Sequence, residues 1–296
     1  MLQKIKTLNL DKDFHPFGKE NQIEFERFQF PSGCEPHIRL KLSEEELISF
    51  NLQNEIDRKV IITCRIHSTA DIFELLLVTD SLRRVGIKRL ELFIPYLPFA
   101  RQDRVMVKGE PLSLKVFSDL INSQNYEKLF IYDPHSDVSM AVLNNSEKIS
   151  NHLFVEKVLN KVARNGYQLV SPDAGACKKI YDLAKSLNSH CQVITCNKVR
   201  DVQTGNILSI ECFEQDFRGM PLYIVDDICD GGGTFVLLAK ELKKRNAGKI
   251  NLVVSHGIFS KGLDVFENID HIYSTDSFKT IENSDKFTQI KLQEIF

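Results

Sequence analysis

An excess of charge of either sign is the first thing this sequence lacks. Across 296 residues, 38 Lys and Arg stand against 40 Asp and Glu, for a formal net charge of -2. A chain so balanced has no overall attraction for nucleic acid or for an anionic membrane, so neither is expected as a partner and any anion site must be local. Long apolar runs are missing too. The densest, residues 75–78, falls far short of the roughly 20 residues a membrane-spanning helix needs. The first nine residues alternate lysine with apolar side chains and carry neither the apolar core nor the small-residue cleavage site of a secretion signal, so a cytoplasmic location is expected. The seven cysteines (Cys34, Cys64, Cys177, Cys191, Cys196, Cys212 and Cys229) are odd in number and never spaced C-x-x-C. That is the usage of reduced thiols rather than of a disulfide or zinc framework.

What is present is the material of a folded core, with 43% hydrophobic residues. After an irregular, polar start, apolar runs of strand length alternate with longer amphipathic segments, the rhythm of βαβ units. Strands are predicted over residues 59–64, 89–94 and 128–132. Helices are predicted over 70–85, where Gly86 is placed to end the helix, and over 111–121, where Pro111 suits a first turn. A second series begins after the loop chemistry at Asn144. It comprises helices over 153–163, 174–187 and 235–245, strands over 168–171, 192–195, 221–225 and 250–255, and a short terminal helix near Gln289. The expected fold is therefore α/β in two domains, residues 1–144 and 145–296, each with a mainly parallel sheet flanked by helices.

The segment with the most chemistry is residues 224–234, Ile-Val-Asp-Asp-Ile-Cys-Asp-Gly-Gly-Gly-Thr. A hydrophobic strand runs into Asp226 and Asp227, and Asp230, Gly231, Gly232, Gly233 and Thr234 lead into a helix. Ligands of open α/β sheets bind beyond the carboxyl ends of strands, and a helix start offers backbone N–H groups to an anion. The glycines admit a phosphate closely and Thr234 adds a hydroxyl donor. The carboxylates would repel a bare phosphate, so they suit sugar hydroxyls or a magnesium shell. A βα turn with geometric glycines and helix-capping aspartates is the plainer alternative. The third acid ahead of the glycines favours a sugar-phosphate site.

This segment resembles the phosphoribosyl-pyrophosphate motif shared by type I phosphoribosyltransferases and ribose-phosphate pyrophosphokinases. The rest of the chain resembles the second family. Residues 98–104 (P-F-A-R-Q-D-R) are similar to its A-R-Q-D signature and residues 133–135 (D-P-H) to its D-L-H motif. Residues 171–175 (S-P-D-A-G) match its S-P-D-x-G, and residues 255–257 (S-H-G) its T-H-G segment. Short motifs in the family's order, from about Phe30 to the end, are far more specific than any one alone.

The resemblance implies two type I phosphoribosyltransferase-like domains, ATP bound on the first and ribose 5-phosphate on the second. It implies diphosphoryl transfer between them with Mg2+, in a homo-oligomer whose sites lie near subunit interfaces. It assigns Arg101, Gln102, Asp103, His135, Phe30 and Glu35 to ATP, and Asp226, Asp227, Asp230, Gly231, Gly232, Gly233 and Thr234 to ribose 5-phosphate. His135 and Asp173 face the metal. Lys198 and Arg200, spaced K-x-R after the strand ending at Thr195, correspond to cations of a mobile loop over the reacting phosphates; with His135 they form the expected catalytic set. Departures from the family pattern are visible. The F-x-D-G-E of an adenine pocket appears loosely as residues 30–35 (F-P-S-G-C-E), and residues 105–109 (V-M-V-K-G) replace a basic, serine-containing run linked to regulation, so altered control by phosphate and ADP is expected. Two rivals remain: a phosphoribosyltransferase that consumes the activated sugar, and a non-catalytic partner of pyrophosphokinase subunits.

Overall fold

A computed structural model describes residues 6–33, 35–46, 59–163, 166–187, 191–200 and 207–296, with the backbone alone at 199–200 and 207–208. The chain divides into two compact units. One is Met1–Ile149 with Leu292–Glu294 and Phe296; the other is Ser150–Lys291 with Ile295.

The first unit is built on five strands, β1 (Lys6–Asn9), β4 (Lys59–Thr63), β5 (Arg89–Ile94), β6 (Lys128–Tyr132) and β7 (Ser146–Ile149), parallel and hydrogen-bonded in that order. β4 and β5 are buried at nearly every position because helices cover a parallel sheet on both faces. Helix α1 (Thr69–Arg84) starts on a capping box in which Ser68 and Asp71 bond each other's backbone N–H. Gly86, at φ +90°, ends it as expected. Helix α2 (Ser113–Asn122) begins after Pro111 rather than on it, and α3 (Asp137–Val142) follows β6. The polar start is not irregular: besides β1 it forms β2 (Glu24–Gln29) and β3 (Pro36–Lys41), an antiparallel pair with mostly exposed side chains. Only Phe25, Ile38 and Leu40 pack against the core, and charged and polar residues around them hid that hairpin. The break between units falls at Ile149 rather than at Asn144 because β7 extends the first sheet beside β6.

The second unit carries α4 (His152–Val162), β8 (Gln168–Ser171), α5 (Ala174–Ser186), β9 (Val193–Arg200) and β10 (Ile207–Cys212). It continues with β11 (Leu222–Cys229), α6 (Gly233–Lys244), β12 (Ile250–Gly257), β13 (His271–Thr275) and β14 (Phe287–Ile290). Its sheet order is β10-β9-β8-β11-β12-β13-β14, parallel except for the antiparallel β9–β10 pair. The period of two along β11 sorts its side chains between two cores. Leu222 and Ile224 pack with Leu238, Ala239 and Leu242 of α6. Tyr223 and Val225 pack with Phe154 and Val158 of α4 and Ile180 of α5.

Three expectations are corrected here. The segment near Gln289 is strand β14, followed by a 3-10 turn at Leu292–Glu294, not a helix. β11 does not stop at Val225 but runs through both aspartates to Cys229. β9 does not end at Thr195; it continues to Arg200, so Lys198 and Arg200 lie on a strand rather than in a loop beyond one.

Candidate active site

In the second unit, functional side chains gather at the carboxyl ends of neighbouring strands β9, β8 and β11, where an α/β sheet opens to ligands. Alternation along β11 sends Asp226 to the α6 side and Asp227 to the α5 side. There the Lys179 ammonium of α5 donates to Asp227 Oδ2 at 2.8 Å. Asp227 is buried, so a partner for its charge is a physical requirement. Asp173 caps α5 by accepting from the Ala176 N–H at 2.9 Å, while its other oxygen accepts from Lys198 Nζ at 2.6 Å. Burial pushes the Asp173 carboxyl up, yet the Lys198 ammonium and the helix N–H groups outweigh it and hold the group below its ordinary range. Asp226 moves the opposite way: burial first, then the Asp227 and Asp173 charges, raise it well above the usual carboxylate range, with Lys198 working against them. Three carboxylates and two lysines thus share one electrostatic neighbourhood.

The glycine turn lies next to them. Gly232 is the N-cap of α6 at φ +75°, and no side chain caps that helix, which leaves its first N–H groups available to an anion. A Cβ on Gly232 would sit 2.6 Å from the Phe266 ring, so only glycine fits. Over Gly231 lies the Lys261 stem, with Cδ and Cε at 3.5 Å from where a Cβ would stand; Gly233 faces open space. The Thr234 hydroxyl has no protein partner among the described residues and Asp230 is half-buried beside the turn.

In the first unit, the loop after β5 and the loop after β6 come together at Asp103. Burial raises its carboxyl, but the Ser136 hydroxyl and the Arg104 guanidinium at 3.1 Å, helped by the His135 charge, hold it below its ordinary value. Arg101, Gln102 and His135 are exposed around this junction. Gln102 is fixed by its N–H donating to the Phe99 carbonyl at 2.8 Å and by its own carbonyl accepting from the Leu114 N–H of α2. Phe30 and Glu35 sit on a different element, the turn of the β2–β3 hairpin, where the Phe30 ring meets His37 edge-on. The Arg200 side chain lies outside the described residues.

Two cations were not singled out from sequence. Lys179 sits six positions after Asp173, on the α5 face toward β11, and helix periodicity applied to polar residues would have found it. Lys261 lies in an irregular loop after β12 and carries no such signal.

Among the described residues, no three His, Cys, Asp or Glu side chains are arranged as a ready metal cage. The donor set still suits magnesium, which keeps most of its waters and takes one or two carboxylates together with substrate phosphate. The excess negative charge that raises Asp226 is what such an ion would relieve.

Known proteins resemble the chain along its whole length. Residues 37–124 match the N-terminal domain of ribose phosphate pyrophosphokinase, and residues 140–294 the phosphoribosyl transferase domain. A ribose-phosphate pyrophosphokinase of Mycoplasmopsis pulmonis is 31% identical over 226 residues, covering 75% of this chain and 70% of that one. One of Thermococcus kodakarensis is 28% identical over 268 residues, 87% of each chain. The crystal structure of phosphoribosylpyrophosphate synthetase from Mycobacterium smegmatis superposes with a TM-score of 0.78 at 19% identity, over 98% of this chain and 95% of that one, which shows a shared two-domain type I phosphoribosyltransferase-like fold. With the N-terminal profile and the transferase profile matched in order and a relative this similar across most of both chains, the chain belongs to the ribose-phosphate pyrophosphokinase family.

Proposed function

We propose that the protein transfers the β,γ-diphosphoryl group of ATP to the anomeric hydroxyl of ribose 5-phosphate, giving 5-phosphoribosyl 1-diphosphate and AMP. The observation that carries this reading is the pairing, in the second unit, of an uncapped glycine-lined helix start with the lysine-partnered carboxylates Asp173 and Asp227. That is an acceptor site for a hydroxylated sugar with an anionic end. Asp226 and Asp227 accept hydrogen bonds from the ribose hydroxyls, and Lys179 holds the Asp227 carboxylate in position for that task. The backbone of residues 231–234, the Thr234 hydroxyl and the Lys261 ammonium receive the 5-phosphate, with Asp230 at the edge of the turn. In the first unit, Arg101, Gln102 and Asp103 with His135 take ATP, and Phe30 and Glu35 reach its base.

Lys198 and Arg200 stabilise the negative charge that spreads over the transferring oxygens, which is where phosphoryl-transfer enzymes gain most of their rate. Magnesium, held by Asp173 on the acceptor side and beside His135 on the ATP side, neutralises phosphate charge when bound. No side chain has to act as a strong base, because alignment and electrostatics carry this class of reaction. The domain of residues 1–144 is the ATP side and that of 145–296 the ribose side, in a cytoplasmic homo-oligomer. A phosphoribosyltransferase would use the glycine turn and the aspartates but leave the Asp103–Ser136–His135 junction without a task.

The test is incubation of the purified protein with ATP, ribose 5-phosphate and magnesium, with quantification of AMP and 5-phosphoribosyl 1-diphosphate. Equal yields of both are expected. Absence of both products across phosphate and metal concentrations overturns the reading, and a protein that instead consumes 5-phosphoribosyl 1-diphosphate with a nucleobase is the transferase.

A further inference from the structure

Two thiols that the proposed reaction does not use are placed together by the fold. In the antiparallel β9–β10 pair, Cys196 and Cys212 stand directly opposite each other. Residues so opposed have Cα atoms about 4.5–5.5 Å apart and side chains on one face, within the span of about 4.4–6.8 Å that a disulfide bridges without backbone movement. Both side chains are buried. The other cysteines differ. Cys64 and Cys229 are buried thiols raised mainly by burial, and Cys177 lies 3.6 Å from the Thr195 hydroxyl.

We propose that Cys196 and Cys212 form a dithiol that a hydroperoxide converts into a cross-strand disulfide, lowering turnover by restraining the hairpin that carries Lys198. The two sulfurs are unequal in a way that suits the chemistry. The facing Cys196 thiol, with the Glu214 N–H and the Arg245 guanidinium assisting, lowers Cys212 to about 7 against its burial, while the Cys212 thiol and burial push Cys196 up. Cys212 is therefore the thiolate. It attacks the O–O bond of the peroxide and expels hydroxide, becoming a sulfenic acid. The Cys196 sulfur then attacks Cys212 Sγ, its proton leaving with the departing hydroxide as water. Two thiols lose two electrons in total, and the peroxide is reduced to two waters.

β10 is the edge strand of its sheet among the described residues, so β9 is its one neighbour there and local parting of that pair would expose both sulfurs to a small oxidant. The link would close two residues before Lys198, whose ammonium reaches Asp173. Fixing β9 to β10 at that point limits the movement Lys198 needs to leave Asp173 for a phosphate. This consequence rests on the reading of Lys198 as a cation for the reacting phosphates; formation of the bond does not.

The test treats the full-length protein with stepwise hydrogen peroxide, blocks remaining thiols by alkylation and maps linked peptides by mass spectrometry, assaying synthesis in parallel. The expected result is a Cys196–Cys212 linked peptide, a fall in turnover of about tenfold or more, and reversal of both by dithiothreitol. Cys212→Ala and Cys196→Ser should keep basal turnover and resist peroxide, while Cys177→Ser should behave as the parent. Failure of the linked peptide to form while Cys196 and Cys212 remain alkylatable, or oxidation beyond sulfenic acid without linkage, overturns the dithiol. Linkage without loss of turnover overturns the restraint on Lys198. If the untreated protein makes no 5-phosphoribosyl 1-diphosphate, the proposed reaction fails, and the linked peptide still decides the dithiol.

Discussion

Gly231, Gly232 and Gly233 are alike in sequence and unlike in what they do. Gly232 combines φ +75° with a ring where its Cβ would go, whereas Gly233 has open space around it. Gly232→Ala should therefore lose about 2–4 kcal/mol of stability from the left-handed backbone and the clash with Phe266. Gly233→Ala should change stability by less than about 1 kcal/mol. Urea denaturation of the two variants checks the contrast, and equal losses would show that Phe266 yields. Lys179 makes a second residue-scale case. Its bond to buried Asp227 is charge-assisted, and removing it takes a cation from that carboxylate. Lys179→Ala is expected to lower kcat/KM for ribose 5-phosphate by about 10- to 100-fold with the fold intact, and Lys179→Arg to recover most of it. An unchanged KM and kcat in Lys179→Ala would remove the residue from the site.

At the scale of elements, the interior strands of both sheets other than β13 were legible in the sequence, and the edges were not. β5, β6 and β8 fall on the predicted bounds because each holds a mostly apolar stretch sharply ended by polar or turn residues. The β9–β10 hairpin was missed beyond Thr195 because Cys-Asn-Lys-Val-Arg holds only two apolar residues and no strict alternation, which reads as a polar loop. For the same reason the mobile-loop expectation for Lys198 became a strand position with a defined partner. Lys198→Ala then removes both a partner of Asp173 and the proposed phosphate cation. Turnover should fall about 10²- to 10³-fold while the KM for ATP changes little, which steady-state kinetics will show. A rate within a few-fold of the parent would exclude the role. A purely structural contrast is α1. Asp71 accepts from the N–H groups of His67 and Ser68 and from the Ser68 hydroxyl, whereas Ser68 accepts from Asp71 alone. Asp71→Ala should therefore cost more than the roughly 1 kcal/mol expected of Ser68→Ala, and neither should alter turnover.

For the whole molecule, stability should fall at both ends of the pH scale for opposite reasons in different places. Asp270 is held below its ordinary value: burial raises it, but the Ile250 N–H at 2.8 Å and the Lys243 ammonium at 3.0 Å outweigh that. A carboxyl depressed by folding stabilises the native state above its unfolded pKa, and that contribution disappears as pH falls through the folded one. Asp270 thus contributes at neutral pH, and its share is lost below the ordinary aspartate value of 3.8. Tyr126 works in the other direction. Burial lifts its phenol from 10.0 to about 12 against the Thr79 hydrogen bond, so the unfolded chain releases this proton first. Its contribution is whole below 10 and is lost as pH rises toward 12. Urea midpoints measured across pH should show Asp270→Asn flattening the acid limb and leaving the alkaline limb, and Tyr126→Phe doing the reverse at a neutral-pH cost of about 1 kcal/mol. A Tyr126→Phe protein that loses stability above pH 10 as steeply as the parent would place the alkaline limb in other groups, with the buried Tyr223, also lifted to about 12, next to be replaced.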